Sequence, residues 1–484
     1  MKIEVKPSDR IFEELGRNTY DFVDLLSELI DNSIAARVVD SILEVRIQVF
    51  VGKNSQPKRF VISDNASGIP PSKLGTAISP AGSQTSESLN EHGLGMKQAI
   101  AALGKLESLV TKIKENNKAY MIDELKFGII EAKEVKADRV QGTVITIGSL
   151  KPIVDGSQIN YSRSIVYQLG ARYRRFLRPD KPKMDLQITL CNATTGVAIK
   201  TYVVSEEKPV YFHPGSRRND PIIHAFPIKG NGWKAQLTFG WAPKDEPEYD
   251  ELGLPVPTKF QPYHVSLNNQ GLDLILHDRV IQFHRLAELG LVSNRHNDFN
   301  RVRGEIVLLE GFATAITKNS VISDDAFLEC IEIVRMILNG DKVGPTGRKH
   351  KYLERKGDPG EIPEKLLRDR LVKWLLGNKF RKIKSVKTEY VLEGIEGYVD
   401  VLADGEAWEL KRGKASALDV YQLFMYLDMG DIDKGYLLAQ GFTTGAKIAA
   451  EAIHKKHKKV IELSVLDEYP ILGDPSLDEQ EKYY

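Results

Sequence analysis

Residues 27–36, Ser-Glu-Leu-Ile-Asp-Asn-Ser-Ile-Ala-Ala, place acidic and amide side chains in a segment whose leucines and isoleucines have helical spacing. On a helix, Glu28, Asp31 and Asn32 stand at positions i, i+3 and i+4, so they share one face. Carboxylate and carboxamide oxygens are the protein ligands that Mg²⁺ prefers. The segment therefore predicts a helix that holds a metal ion and a water molecule.

A second group of residues that could bind a metal ion lies at 397–411, with the sequence Gly-Tyr-Val-Asp-Val-Leu-Ala-Asp-Gly-Glu-Ala-Trp-Glu-Leu-Lys. The Asp-Gly pair at 404–405 stands between two alternating runs and predicts a two-residue hairpin turn. With that turn, Asp400 lies directly opposite Glu409, and Lys411 shares the face of Glu409 because strand side chains have a period of two. Opposed carboxylates repel each other, so the pair favours a shared divalent cation over a structural role.

The composition of the whole chain limits the class of protein. Its 484 residues are enough for about three domains, and 42% hydrophobic with 27% charged residues is typical of a folded protein. A formal net charge of +1 gives no global signature of nucleic-acid binding, so any DNA contact would come from local patches. The two cysteines, Cys191 and Cys330, argue against a disulfide framework or a zinc site. Without a long apolar run or a signal peptide, we expect a cytoplasmic protein with no membrane partner.

The elements around the first group follow from apolar periodicity, which predicts helices over 11–40 and strands over 42–51 and 59–63. The second strand leads to Asp64 in the turn Asp-Asn-Ala-Ser-Gly. Gly93 and Gly95 let the backbone approach a phosphate, and the helix that follows presents N-terminal amides that attract anions. Each segment has an ordinary alternative, since the turn composition is common and residues 75–90 read equally as a plain surface loop. Their order and spacing favour a nucleotide site.

These segments resemble the N box and the two glycine boxes of the GHKL ATPases, the superfamily of gyrase B, heat-shock-type chaperones, histidine kinases and MutL. The resemblance implies a Bergerat-type α/β sandwich that binds ATP and Mg²⁺, in which Asn32 coordinates the Mg²⁺ ion and Glu28 orients and deprotonates the attacking water. The adenine and phosphate contacts that it implies come from Asp64, Gly68, Gly93, Gly95, Met96, Lys97 and Thr143. Residues 75–90 then correspond to the mobile ATP lid. The sequence departs from the family at Ala66, where the pattern has a glycine.

The segments before and after the ATPase pattern indicate which branch of the GHKL superfamily the chain resembles. No histidine precedes Glu28, which disfavours the histidine-kinase branch. Residues 268–281 resemble the transducer strand of MutL and MORC ATPases, and residues 305–319 resemble the part of that domain that sends a lysine back to ATP. Lys318 is thus the candidate γ-phosphate sensor, with a surface lysine as the alternative. The basic run at 171–183 is interpreted as a solvated helix face in preference to a DNA groove.

The C-terminal pattern resembles the PD-(D/E)xK nucleases, with Asp400, Glu409 and Lys411 as the D…E-x-K residues. A following helix adds Gln422 and Tyr426 at i and i+4, similar to the Q-x-x-x-Y element of the RecB-type branch. The resemblance makes Asp400 and Glu409 metal ligands, adds Glu364 on the preceding predicted helix as a further ligand, and allows Mg²⁺ or Mn²⁺. Val399 stands where the family name has proline.

We therefore expect an α+β multidomain chain with a GHKL sandwich, an S5-like α/β transducer and a restriction-endonuclease-like α/β domain. The expected boundaries are 1–150 for the ATPase domain, 151–340 for the transducer, 341–361 for a linker, 362–475 for the nuclease-like domain and 476–484 for a tail. The expected function is ATP-dependent homodimerisation that controls DNA cleavage, in a prokaryotic defence or restriction setting with additional subunits. The alternatives are an ATP-dependent DNA clamp or scaffold whose nuclease fold only binds, and a chaperone-like remodeller.

Overall fold

The computed structural model describes residues 8, 10–17, 19–79, 93–213, 219–314, 320–353, 364–377, 380–392 and 398–466. The chain divides into two compact units, Met1–Glu354 and Arg355–Tyr484. The division falls inside the predicted linker of residues 341–361. Among the described residues, no helix has the length and apolar character needed to cross a membrane.

The first unit begins with an eight-stranded sheet and the helices that cover it. Its helices are α1 Arg10–Glu14, α2 Phe22–Ala35, α3 Pro71–Ile78, α4 Gly95–Leu103, α5 Gln158–Asn160 and α6 Val166–Arg172. Its strands are β1 Leu43–Val51, β2 Pro57–Asp64, β3 Lys105–Lys112, β4 Ala119–Ile122, β5 Lys133–Val135, β6 Gly142–Gly148, β7 Met184–Asn192 and β8 Ala198–Val204. The strand order is β5-β4-β3-β6-β2-β1-β7-β8.

Helix α2 is fixed at its start by a reciprocal cap. The Asp21 side chain accepts a hydrogen bond from the Asp24 backbone N–H at 2.8 Å, and the Asp24 side chain accepts one from the Asp21 N–H at 3.4 Å. Leu25, Leu26 and Ile30 are fully buried within the core of the first sheet. Because α2 is buried on most of its surface, its polar residues are held among packed side chains rather than in solvent.

The first sheet does not end at the predicted boundary of residue 150. Strand β1 pairs antiparallel with β2 on one side and parallel with β7 on the other, in continuous register from Leu43↔Met184 to Val51↔Asn192. Alternate residues of β1, namely Val45, Ile47 and Val49, are buried, as its apolar alternation predicts. The periodicity identified β1 as a strand, but it carries no information about which strands pair across more than a hundred residues.

A second, five-stranded sheet follows in the same unit, with the order β12-β11-β13-β10-β9. Its strands are β9 Ile223–Gly230, β10 Trp233–Trp241, β11 Gly271–Leu276, β12 Arg279–Arg285 and β13 Val302–Glu310. Its helices are α7 Glu246–Glu251 and α8 Asp325–Leu338. Tyr352 and Leu353 are buried in the core between this sheet and α8, and the Tyr352 N–H donates to the Leu338 carbonyl at 2.8 Å. The first part of the predicted linker is therefore packed on this sheet.

The second unit is a mixed five-stranded sheet with helices on it. Its elements are α9 Glu364–Gly377, β14 Val386–Val391, β15 Tyr398–Ala403, β16 Glu406–Ala415, α10 Ala417–Met429, β17 Lys434–Phe442, α11 Thr444–His457 and β18 Val460–Val465. The order β14-β15-β16-β17-β18 is antiparallel as far as β16 and parallel from β16 onward. Asp404 and Gly405 have φ of +46° and +85°, which confirms the predicted hairpin turn between β15 and β16.

Candidate nucleotide and metal sites

Glu28 lies against the first residue of α4, with 2% of its surface exposed. A Cβ atom placed on Gly95 would be 1.8 Å from Glu28 Oε2 and 2.9 Å from its Cδ. The carboxylate therefore occupies the space that any other side chain at position 95 would fill. This contact joins the predicted catalytic base to the N-terminus of a helix, where backbone N–H groups favour an anion such as a phosphate.

Asn32 stands one turn after Glu28 on the same helix. Its Nδ2 donates a hydrogen bond to the Glu28 carbonyl oxygen at 2.7 Å. This bond fixes the amide so that Oδ1, the atom that a Mg²⁺ ion would need, is on the other side of the amide group. The donor set of one carboxamide oxygen beside a carboxylate fits Mg²⁺, which takes a small number of protein oxygens and keeps several waters.

Asp64 ends β2 and accepts three hydrogen bonds within the described part of the chain. Ser33 Oγ donates to its Oδ2 at 2.9 Å, and the backbone N–H groups of Ala66 and Thr143 donate to its Oδ1 at 3.0 and 3.1 Å. Burial raises the pKa of Asp64, and these hydrogen bonds together with the charge of Arg139 act in the opposite direction. The carboxyl group is thus held rigidly at the end of the strand. The Thr143 contribution comes from its backbone, whereas its hydroxyl lies 3.3 Å from that of Thr111.

The turn after Asp64 requires a glycine at position 68 but not at position 66. Gly68 has φ of +72°, and a Cβ there would meet the Lys112 carbonyl oxygen at 2.1 Å. Ala66, which stands where the resemblance expects glycine, is buried and has no positive φ. The departure from the family pattern therefore costs the turn no backbone strain.

Lys97 is buried, and its Nζ donates to the Gly93 carbonyl oxygen at 2.6 Å. Gly93 has φ of +62°, a conformation that favours glycine. In this arrangement Lys97 holds the glycine turn, while the adjacent Met96 packs into the core. Residues 80–90 of the predicted lid and Lys318 lie outside the described residues, whereas the first lid residues, 75–78, form the end of α3.

Asp31 does not join Glu28 and Asn32 in the predicted metal-binding group. It is fully buried, its Oδ1 accepts from the Tyr173 hydroxyl at 2.8 Å, and its Oδ2 lies 3.0 Å from Arg279 Nη1. The three residues lie within an arc of about 100° around the helix, with Asp31 at one edge, so neighbouring elements can hold its carboxylate apart from the other two side chains. The metal-binding face of α2 is reduced to Glu28 and Asn32.

The basic run at 171–183 is not uniformly a solvated face. Arg172 contacts Asp24 and Ser27 at 2.8 and 2.9 Å, and Arg174, with 2% of its surface exposed, pairs with acidic residues of the second sheet. The interpretation as a solvated helix face is wrong for these two residues, whose charges are used in internal ion pairs. The buried residues Tyr173, Phe176 and Leu177 have helical spacing, but that spacing gives no signal for the burial of the arginines between them.

Residues 20–144 match the family described as Histidine kinase-, DNA gyrase B-, and HSP90-like ATPase. The match contains α2, Asp64, the glycine turn and Thr143. This part of the chain is a GHKL-type ATPase domain. ATP binding and hydrolysis are the activities of such domains, which typically use Mg²⁺. No curated protein matches the chain.

The second unit holds the other predicted group, with two carboxylates buried side by side. Asp400 on β15 and Glu409 on β16 are 8% and 3% exposed, and the register Val401↔Trp408 places them opposite each other. Asp400 Oδ2 accepts from the Leu410 N–H at 2.9 Å, and Lys411 Nζ donates to Glu409 Oε1 at 3.0 Å. These contacts agree with the predicted hairpin.

The electrostatics of this pair favour a cation. Burial, with a smaller contribution from the neighbouring Asp400, raises the pKa of Glu409 to about 7, and burial raises the pKa of Asp400 as well. Glu409 Oε2 is buried and accepts no hydrogen bond within the described part of the chain. A buried carboxylate oxygen without a donor is costly unless a cation or a proton compensates it. The residues present therefore fit a divalent metal ion.

Two charged residues of this site were missed by the sequence reasoning. Arg368 on α9 is largely buried, and its Nη1 lies 2.7 Å from Glu389 Oε1. The register Thr388↔Val401 and Tyr390↔Val399 places Glu389 next to Asp400, whose pKa Arg368 lowers and Glu389 raises. Strand β14 was not predicted, and no motif spacing marks Arg368, so the sequence offered no signal for either.

Of the remaining predicted nuclease residues, the structure describes the side chains of Gln422 and Tyr426 but not that of Glu364. Gln422 Nε2 donates to the Tyr426 hydroxyl at 3.0 Å, as the i, i+4 spacing on α10 allows. The hydrogen bonds of the described residues include none between Gln422 and either carboxylate. The side chain of Glu364 lies outside the described part. Within the described ranges, no cluster of three or more His, Cys, Asp or Glu side chains is arranged to hold a metal ion.

Proposed function

We propose that the chain is an ATP-gated DNA nuclease in which nucleotide binding to the GHKL-type domain drives homodimerisation and controls cleavage by the second unit. The favoured branch is the MutL- and MORC-like one, because the ATPase domain is followed in the same unit by a second sheet. The favoured setting is prokaryotic defence or restriction, with further subunits as partners. We propose the second sheet, within the predicted range 151–340, as the transducer and 362–475 as the nuclease-like domain.

The observation that supports the hydrolytic part is the contact between Glu28 and Gly95. Phosphoryl transfer depends mainly on positioning and on neutralising charge. Bound Mg²⁺ would supply charge neutralisation, with Asn32 as its protein ligand. Glu28 lies beside the first residue of α4, and this position supports a role in which it would orient a water and accept its proton beside a phosphate at the helix N-terminus. Asp64 is the proposed acceptor for the adenine amino group.

The observation that supports the nuclease part is the buried Asp400–Glu409 pair, with its free Glu409 oxygen and the adjacent Lys411. Asp400 and Glu409 would hold a divalent ion, which would supply polarisation of a phosphodiester and a lowered pKa for a water. Lys411 donates to Glu409 in the structure, and its positive charge is suited to stabilising the negative charge that develops on the phosphate. The hydrolysis adds water across one P–O bond of the DNA backbone.

The second candidate is an ATP-dependent clamp or scaffold in which the second unit binds DNA without cutting it. One observation favours it: in the described residues the carboxylates at 400 and 409 are not joined by a third ligand in a metal-holding cluster. Two protein carboxylates with waters can still bind Mg²⁺, which usually keeps several waters.

One experiment separates the candidates. Supercoiled plasmid is incubated with the purified chain and Mg²⁺ or Mn²⁺, with and without ATP, beside the variants Glu28→Ala, Asp400→Ala and Lys411→Ala. We expect ATP to change the rate of cutting in the wild type, and both second-unit variants to lose cutting while they still hydrolyse ATP. Cutting at the wild-type rate by Asp400→Ala and Lys411→Ala would remove the nuclease assignment. DNA retention without cutting by the wild type would favour the clamp.

A further inference from the structure

The segment of residues 172–175 connects α2 to the second sheet of the same unit. Two of its residues reach toward α2. Arg172 Nη1 contacts Asp24 Oδ1 at 2.8 Å, and the Tyr173 hydroxyl lies 2.8 Å from Asp31 Oδ1 and 3.1 Å from the Ser27 carbonyl oxygen. Tyr173 is fully buried, and burial raises its pKa well above the usual value, so the hydroxyl remains a donor.

The next two residues of the segment reach the second sheet. Arg174 Nη2 lies 3.0 Å from Asp273 Oδ2 on β11 and 2.7 Å from Glu305 Oε1 on β13. Arg175 Nη1 lies 3.2 Å from Asp278 Oδ1, at the turn before β12. Of these four consecutive residues, the first two contact α2 and the last two contact the second sheet and its β11–β12 turn.

Arg279 closes this connection directly. It is the first residue of β12, and its Nη1 lies 3.0 Å from Asp31 Oδ2 with 4% and 0% of the two side chains exposed. Burial by itself lowers the pKa of Arg279, but the carboxylates of Asp31, Glu28 and Asp24 outweigh it and raise that pKa above its usual value. The guanidinium is therefore charged and is attracted to the acidic residues of α2.

The position of Asp31 makes this ion pair relevant to the nucleotide site. Asp31 directly precedes Asn32 and stands one turn from Glu28 on α2. Two partners from outside the helix hold its two carboxylate oxygens, so they fix the rotation of α2 about its axis. That rotation sets the distance of Glu28 from α4 and the direction of the Asn32 amide. The second sheet therefore contributes to the geometry of the nucleotide site through Asp31.

We propose that Arg279 of the second sheet is a positioning residue for ATP hydrolysis, acting through Asp31 and the helix that carries Glu28 and Asn32. This inference rests on the proposed ATPase function. A movement of the β11–β12 turn would displace α2 through the same ion pair. The communication would be reciprocal, because a coupling free energy acts equally in both directions.

The test is a double-mutant cycle with Asp31→Asn, Arg279→Met and the two combined. Each variant is assayed for folding by thermal melting, for nucleotide affinity with a fluorescent ATP analogue, and for kcat by phosphate release. We expect each single variant to lower kcat by roughly 10- to 100-fold, since a displacement of about 1 Å has that effect, with KM changed much less. We expect the combined variant to be no slower than the singles, because both break one connection.

The same group of variants also covers the case in which a single variant does not fold. The combined variant leaves neither charge buried without its partner, so it is the variant to measure if the singles do not fold. Arg279→Lys keeps the charge, and we expect its kcat to lie between the wild type and Arg279→Met.

The matched control is Glu248→Gln. It alters an Arg–Glu pair of the same unit, Arg301–Glu248 at 3.3 Å, which belongs neither to the 172–175 segment nor to α2. We expect Glu248→Gln to lower the melting temperature and leave kcat near the wild type. An equal loss of kcat in this control, or wild-type kcat in folded Arg279→Met, would overturn the inference. A wild type that binds and hydrolyses no ATP would instead overturn the proposed function.

Discussion

Gly95→Ala should separate catalysis from stability. The added Cβ would lie 1.8 Å from Glu28 Oε2, so the carboxylate must move by about 1.5 Å to reach an ordinary nonbonded separation. The atom that must move is the end of a flexible side chain, whereas the backbone of α4 can keep its conformation. The free energy of unfolding should change by less than about 1 kcal/mol, because alanine favours the helix and a shifted Glu28 rotamer opposes that gain.

The expected loss of activity is much larger than the change in stability. A misplacement of this size costs roughly 100-fold in rate, which corresponds to about 2.7 kcal/mol in the activation free energy. The assay is phosphate release under saturating ATP, with nucleotide affinity and melting temperature measured on the same preparation. Gly75→Ala is the matched control, since Gly75 is also helical and its added Cβ would meet nothing within 4 Å.

The effect of Gly95→Ala can also be measured in a variant with a shorter side chain at position 28. In a Glu28→Asp background the side chain withdraws from position 95, so Gly95→Ala should cost far less there than in the wild type. Wild-type turnover by folded Gly95→Ala, or an equal cost in both backgrounds, would refute the claim that Glu28 acts from its place beside α4.

Three further predictions follow from the same sites. Glu28→Ala should bind ATP but hydrolyse it slowly, and light scattering should then show an ATP-dependent dimer; an unchanged mass would contradict ATP-driven dimerisation. Asp64→Asn should weaken ATP binding and lower the free energy of unfolding by about 1–3 kcal/mol, because one amide oxygen cannot accept from all three donors of Ser33, Ala66 and Thr143, and chemical denaturation measures this. The pKa of Glu409, raised from 4.5 to about 7, means that the metal-free folded state holds a proton that the unfolded chain releases. The free energy of unfolding should therefore fall as pH rises from 4.5 to about 7, while Mn²⁺ binding tightens. Chemical denaturation of Glu409→Gln should show no such pH-dependent loss.

The C-terminal hairpin shows what local sequence information can determine. The Asp-Gly turn sets the register, and a period of two then places Asp400 opposite Glu409 with no knowledge of the rest of the fold. The same holds for α2, whose apolar spacing and cap are local. The predicted turn, its register and the extent of α2 depend only on local geometry, and they agree with the structure.

The orientation of Asp31 shows where that information ends. Helical spacing places it near Glu28 and Asn32, but the direction of its side chain depends on Tyr173 and Arg279, which are more than a hundred residues away. The pairing of β7 with β1 and the position of Arg368 beside Asp400 have the same origin. Charge pairs and strand neighbours formed across long sequence separations leave no periodic signal in a single sequence.

The parallel pairing of β1 with β7 determines how the ATPase domain can be isolated. The family match ends at residue 144, yet β1 is an interior strand only because β7 and β8 follow later in the chain. A fragment ending near residue 150 would expose the whole length of β1, with Val45, Ile47 and Val49 beside a row of backbone N–H and C=O groups that lack partners. Such an edge recruits a strand from another molecule, so the fragment should aggregate or exchange strands. Fragments of the ATPase domain need to extend at least through Val204, and those that keep the Asp31–Arg279 ion pair need the second sheet as well.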